Sequence, residues 1–332
     1  MASDLDRVAL PAGLRQDWPV PRQAVAGADT SFAAKLENVT ARLLMGGLVA
    51  LPDGVRERLL GGLARIAMRV DRRTSDAARD FLQTAMGAMP PQELDARVLE
   101  AWRHFLRVVI DSEGFARHVR LDRIRDHYTF DLSPEVSELF ASRRGRIVAT
   151  GHIGDWEAGS AILPWIGCDP LYVIAKPPRN RQLSLHLQSV REQRGVRVLP
   201  RRGAMQHATS VIAAGGSLGM LLDHRARTRP GFAPFFGRMA RCDRSAGVLL
   251  RRLGAPVVIG ACWRTGPWRW HMQMREVLHP PDFAGLDPEA VSTRINGALE
   301  KLILARPEQY FWLHDRYRGA DEVTRAREEP AA

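Results

Sequence analysis

Lysine is nearly absent from this 332-residue chain: Lys35, Lys176 and Lys301 are the only three. Arginine supplies almost all the positive charge, and 48 Lys+Arg against 37 Asp+Glu leave a net charge of +11. A high-GC coding bias explains the choice of arginine but not the excess of charge. That excess implies an anionic partner: a phospholipid headgroup, a phosphorylated substrate, an acidic carrier protein or nucleic acid. Nucleic acid is set aside, because no recognition motif or aromatic-studded basic strand is present. Cysteine is also scarce. Cys168, Cys242 and Cys262 form no CxxC or Cys/His cluster, which argues against a disulfide framework and structural zinc and suits a reducing compartment. Met1–Arg7 has no basic stretch leading into an apolar run and is not read as a signal peptide. The most apolar segment, Leu43–Leu51, has about half the residues a bilayer crossing needs. The G-x-S-x-G match at Gly215-Gly216-Ser217-Leu218-Gly219 runs into a strand instead of following one, which argues against the nucleophile elbow of an α/β-hydrolase.

What is present reads as an α/β protein with a mostly parallel central sheet flanked by helices and an N-terminal helical layer. Residues 1–30, with Pro11, Pro19 and Pro21, read as a loose arm. Residues 31–140 read as helical and possibly membrane-associating, 141–320 as the α/β catalytic domain, and 321–332 as a disordered tail. Between Phe32 and Leu82 the pattern is helical, with a turn at Pro52-Asp53-Gly54. The second segment places Val55, Leu59, Leu60, Leu63, Ile66, Ala67 and Val70 on one face, with Arg56, Arg58, Arg65 and Arg69 off it. That pattern suits an interfacial helix, although packing of the stripe on the domain is the preferred reading. From Arg146 onward, strands near 147–150, 171–174, 196–199, 218–222, 257–262 and 269–275 alternate with helices. The chemistry of such a sheet gathers at the carboxyl ends of its strands.

One of those ends carries Thr150-Gly151-His152-Ile153-Gly154-Asp155-Trp156-Glu157. A hydroxyl needs a base beside it to become a nucleophile; a neutral imidazole can serve, and a carboxylate can hold its tautomer. His152 and Glu157 are the candidate catalytic pair. A second block, Leu199-Pro200-Arg201-Arg202-Gly203, puts Arg202 near a helix N-terminus, a geometry suited to phosphate or carboxylate. A third, Leu222-Asp223-His224-Arg225, offers an acid at a strand terminus that can orient an arginine or the imidazole. Phe235 and Phe236 read singly as core filling, but as a Phe-Phe-Gly segment they would wall an apolar channel.

The order of these blocks, with Gly254-Ala255-Pro256-Val257-Val258 and Tyr310-Phe311-Trp312-Leu313-His314-Asp315-Arg316-Tyr317, resembles the late acyltransferases of lipid A biosynthesis, within the lysophospholipid acyltransferase group. The resemblance covers roughly residues 145–318, with a vaguer match in the helical N-terminal region. It implies that His152 is a general base deprotonating an acceptor hydroxyl that attacks an acyl thioester, and that Glu157 orients His152 or balances its charge. It implies that Arg202 binds phosphate or the developing oxyanion, supported by Asp223, and that no metal and no covalent acyl-enzyme are needed. Asp155 stands where the family often has Asn and could compete with Glu157 for the imidazole. His224 replaces the usual Gln, Asp315 stands where a basic residue is common, and the usual membrane-spanning N-terminal helix is missing or reduced.

The expected activity is therefore transfer of a fatty acyl chain from acyl carrier protein or coenzyme A to a hydroxyl of an anionic lipid. No cofactor is expected beyond that thioester co-substrate. The expected location is the cytoplasmic face of a bacterial inner membrane, peripherally bound. Arg225, Asp155, Phe235 and Phe236 join Arg202 and Asp223 as substrate-binding candidates. The alternative is a non-catalytic membrane-binding protein with a decayed site.

Overall fold

The computed structural model describes residues 18–20, 27–200, 203–227 and 230–320. Most of the arm predicted over 1–30, and the tail predicted over 321–332, lie outside the described residues. Within the arm, Val20 is docked: its N–H donates to the Tyr172 hydroxyl at 3.1 Å, which in turn donates to the Val20 carbonyl at 2.6 Å.

Four helices come first: α1 (Phe32–Ala50), α2 (Asp53–Val70), α3 (Arg72–Met86) and α4 (Pro91–His118). The predicted turn at Pro52 separates α1 from α2, since a proline cannot donate to the preceding turn of a helix. Next come β1 (Tyr128–Leu132), α5 (Pro134–Ala141), β2 (Arg146–Thr150), α6 (Trp156–Ile162), β3 (Leu171–Ala175), α7 (Arg181–Glu192), β4 (Val196–Pro200), α8 (Ala204–Ala213) and β5 (Ser217–Leu221). The hairpin β6 (Gly231–Phe235) and β7 (Arg238–Cys242), then α9 (Arg244–Leu253), β8 (Val257–Gly266), β9 (Arg269–Leu278) and α10 (Pro288–Ala305) complete the chain.

Among the described residues the main sheet has seven strands in the order β1-β9-β8-β2-β5-β3-β4. Strands β8, β2, β5, β3 and β4 run parallel, while β9 is antiparallel to β8 and β1 is parallel to β9. The mostly parallel sheet of the sequence reading is thus correct. Strand β1 departs from it, because it puts part of the 31–140 segment into the sheet. Tyr128-Thr129-Phe130-Asp131-Leu132 is too short for periodicity to reveal, and its long-range register with Trp270–Met274 decides its state.

The α2 stripe also departs from expectation. Leu60 is buried at 1% exposure, but Val55, Leu59, Leu63, Ile66 and Val70 face outward at 41–79%. Helix α2 beds on α4 through Leu60, Gly61 and Ala64, which lie on a neighbouring face. No helix of the described residues is long and apolar enough to cross a membrane.

Candidate active site

Strands β2 and β5 pair with Thr150 opposite Leu221. His152 and Asp223 each lie two residues beyond that pair, so parallel register alone sets them side by side. The His152 Nδ1 lies 2.9 Å from Asp223 Oδ1, and the His152 backbone N–H donates to Oδ2 at 2.8 Å. The Tyr310 hydroxyl donates to the same Oδ2 at 3.1 Å. Gly151 makes this approach possible: a Cβ there would lie 3.0 Å from the Asp223 carboxyl carbon.

Asp223 is almost fully buried. Burial alone would raise its pKa, but the His152 charge and hydrogen bonds, with a contribution from His224, carry it well below the usual carboxylate range. An ionised carboxylate only accepts hydrogen bonds, so Nδ1 of His152 carries the proton and Nε2 is left as the basic nitrogen.

The loop that carries His152 is clamped from two sides. Asp155 N–H donates to the Cys262 carbonyl at 2.6 Å on β8, and Gly154 N–H to the Gln309 carbonyl at 2.6 Å. Phe311 N–H donates back to the His152 carbonyl at 3.0 Å. Gly154 has φ +60°, and a Cβ there would sit 2.0 Å from the Cys262 oxygen, so the turn requires glycine. His104 of α4 hydrogen-bonds the Gly154 backbone, and burial lowers its pKa to about 3, which keeps it neutral.

Glu157 does not hold the imidazole. Its carboxylate forms a bidentate pair with Arg191 of α7, at 2.5 and 3.2 Å. Burial opposes its ionisation, but the Arg191 charge and hydrogen bond, with the charges of Arg194 and His152, together outweigh burial and lower the Glu157 pKa. The orienting role expected of Glu157 falls to Asp223, because α6 turns Glu157 toward α7 while β5 delivers Asp223 directly to the ring.

Asp155 is not a competitor for the imidazole either. It is fully buried, caps α6 by accepting from Ala158 N–H at 2.9 Å, and accepts from Trp270 Nε1 at 2.9 Å. Burial, helped by the Asp111 charge, raises its pKa to about 7.

Phe235 and Phe236 pack on the core and do not line the cavity beside His152. Phe235 ends β6, and the tight turn after it is made by Phe236 and Gly237, with φ +50° and +76°. Phe235 is fully buried, with its ring 5.9 Å from that of Phe81, and its carbonyl accepts from Tyr317 Oη at 2.8 Å. Arg202 lies outside the described residues. Gly203, which follows it, is the left-handed N-cap of α8 at φ +77°.

His152, Glu157 and Arg191 open onto a cavity of about 1060 Å³, which Arg225 also lines. Two further imidazoles line it. The His224 ring stacks on His152 with centroids 3.7 Å apart and a 6° interplanar angle, and His314 stacks on His224 at 4.3 Å. His314 Nε2 accepts from the Arg225 backbone N–H at 2.8 Å. Burial, then the His152 charge, pushes the His224 pKa down. The ligand atoms of His152, Asp223 and His224 lie within 4.8 Å of one another. A metal binds in the plane of an imidazole, and two parallel planes this far apart share no point. The two histidines therefore do not form a joint ligand pair. Apolar side chains, among them Met220, Leu250, Val291 and Ile295, also line the cavity, beside the polar Ser292 and Asn296.

Sequence reading did not single out Arg191, Tyr310 or His104 as supports. The Arg191 signal is weak, a helical arginine among many. Tyr310 and His314 were visible only as part of the aromatic C-terminal block.

Fold and site together define an α/β protein in which a histidine–aspartate pair at the carboxyl ends of two parallel strands opens onto a large, half-apolar cavity. The bacterial lipid A biosynthesis acyltransferase family matches the chain over residues 39–319. The chain belongs to that family and is an acyltransferase. It is 22% identical over 263 residues to the lipid A biosynthesis palmitoleoyltransferase of Escherichia coli (strain K12), covering 78% of this chain and 82% of the relative. The lipid A biosynthesis acyltransferase of Shigella flexneri matches with the same identity and coverage.

Proposed function

We propose that the protein transfers a fatty acyl chain from an acyl thioester, carried by acyl carrier protein or coenzyme A, to a hydroxyl of an anionic lipid such as a lipid A precursor. His152 Nε2 takes the hydroxyl proton as the oxygen attacks the thioester carbonyl. The tetrahedral adduct collapses with loss of the thiolate, and the imidazolium returns its proton to that sulfur. Asp223 holds the tautomer and stabilises the imidazolium. Glu157 fixes Arg191 at the cavity wall, where its guanidinium can meet an anionic substrate group, and Arg202 serves the phosphate or the developing oxyanion. The apolar side chains of the cavity wall receive the acyl chain. The setting is the cytoplasmic face of a bacterial inner membrane, with the protein peripherally bound.

One observation carries this reading: a buried carboxylate leaves the basic nitrogen of His152 free at a cavity large enough for a lipid tail. His152→Ala should abolish thiol release from an acyl thioester in the presence of lipid acceptor, with unchanged circular dichroism. Retained turnover by that variant would exclude the mechanism. Absence of thioester consumption by the wild type under every condition would favour a non-catalytic lipid-binding protein.

A further inference from the structure

Ten of the twelve exposed large apolar side chains among the described residues lie on α1 and α2. On α1 they are Phe32 (80% exposed), Leu36 (56%), Val39 (51%) and Leu43 (72%), whose spacing of three and four makes one stripe, with Leu44 off it. On α2 the outward residues Val55, Leu59, Leu63, Ile66 and Val70 make a second stripe. Both helices bed on α4, sharing a small core of Val49, Leu60 and Ile110, so each stripe is the part left over after packing.

The charge beside these stripes is basic. Arg58, Arg65 and Arg69, at spacings of seven and four, form an exposed row along one edge of the α2 stripe, and Lys35 and Arg42 are placed alike on α1. Arg65 and Arg69 also line a groove of about 560 Å³ together with Arg72 and Arg79. Asp76 and Asp95 in the groove are both committed to Arg79, at 2.7 and 2.8 Å. No carboxylate among the described residues pairs with Arg65, Arg69 or Arg72.

We infer that α1 and α2 form a docking surface for an anionic phospholipid bilayer. The two apolar stripes enter the acyl boundary, and the groove of Arg65, Arg69 and Arg72 takes headgroup phosphate. Outward apolar rows about 17 and 23 Å long, edged by guanidinium groups, suit a fluid interface that moulds to them. The surface is also joined to the cavity wall by hydrogen bonds. Asn180, the N-cap of α7, donates to the Ala34 carbonyl at 2.8 Å and to Glu37 at 2.9 Å, and α7 carries Leu187 and Arg191 into the cavity wall. This inference deepens the proposed peripheral setting and names the residues that would produce it.

Flotation with vesicles tests it without any turnover, so its outcome is independent of the acyl-transfer reading. Wild type should partition onto phosphatidylglycerol-containing vesicles and far less onto pure phosphatidylcholine. Arg65→Gln/Arg69→Gln should weaken partitioning about 10- to 30-fold, and high salt should weaken the wild type similarly. Leu59→Ser/Ile66→Ser, both at exposed positions and checked by circular dichroism, should lower it at least about tenfold. Binding of both double variants at the wild-type level would overturn the proposal. So would a wild type that ignores anionic vesicles and instead forms a dimer that Leu59→Ser/Ile66→Ser breaks, since the stripes would then cover a second copy.

Discussion

Replacing Asp223 with Asn removes one charge and leaves the shape of the side chain almost unchanged. In the wild type the carboxylate lies 2.9 Å from the imidazole Nδ1 and excludes water from that side. Two unit charges at this separation attract by about 6 kcal/mol at an effective dielectric of about 20. An amide dipole would recover part of that, and its NH₂ group could present a donor to Nδ1, favouring the wrong tautomer. A net loss of about 4–5 kcal/mol in transition-state stabilisation corresponds to a fall in kcat of about 10³- to 10⁴-fold. Stability should fall by only about 1–3 kcal/mol, because the amide oxygen can still accept from Tyr310 or from the His152 N–H. The assay is initial-rate release of thiol from an acyl thioester with lipid acceptor, run beside Glu157→Gln. Glu157→Gln loses the pairing with Arg191 and should act mainly on KM, leaving kcat within about tenfold. If Asp223→Asn kept kcat within about threefold of wild type while Glu157→Gln abolished it, the carboxylate roles derived from the geometry would be wrong.

Three further outcomes follow from the same contacts. Gly154→Ala must place a methyl against the Cys262 carbonyl in a left-handed turn, so it should cost more than about 2 kcal/mol and displace the His152 loop. Thermal unfolding and kcat should therefore both fall; a fully active, unshifted variant would refute the clamp. Asp155 carries a pKa raised to about 7 by burial, against an ordinary value of 3.8, so the folded state binds the proton more tightly than the unfolded chain does. Stability from this group is greatest below pH 4 and falls as pH rises toward 7. The melting temperature of Asp155→Asn relative to wild type should accordingly climb between pH 4 and 8, and a pH-independent difference would contradict the assignment. Phe235→Ala empties a site at the centre of the core and should cost about 3–5 kcal/mol in urea unfolding, with acyl-chain preference unchanged in the residual enzyme. A change in chain preference would return Phe235 to the cavity wall.

The βα alternation after Arg146 was legible because strands buried on both faces write continuous apolar runs, as in Ile147-Val148-Ala149 and Val257-Val258-Ile259. The helices between those strands begin at side-chain caps that the sequence reading did not use: Asp155, Asn180 and Asp243 accept from backbone N–H groups two or three residues in. The β6–β7 hairpin was missed, although its Phe-Gly turn was in view, because the flanking residues were read as a channel segment.

The sequence by itself determined the family, the sheet class and His152 as the residue to examine. These depend on residue type, local order and period, which are properties of the chain in one dimension. Tertiary structure decided the partner of the histidine. Glu157 is five residues away along the chain and Asp223 is seventy-one, yet parallel pairing of β2 with β5 delivers the distant acid and α6 carries the near one away to Arg191. It decided equally that the apolar stripe of α2 faces outward, because α4 has room for only one face of that helix, and a helical wheel drawn from sequence does not say which apolar face is covered.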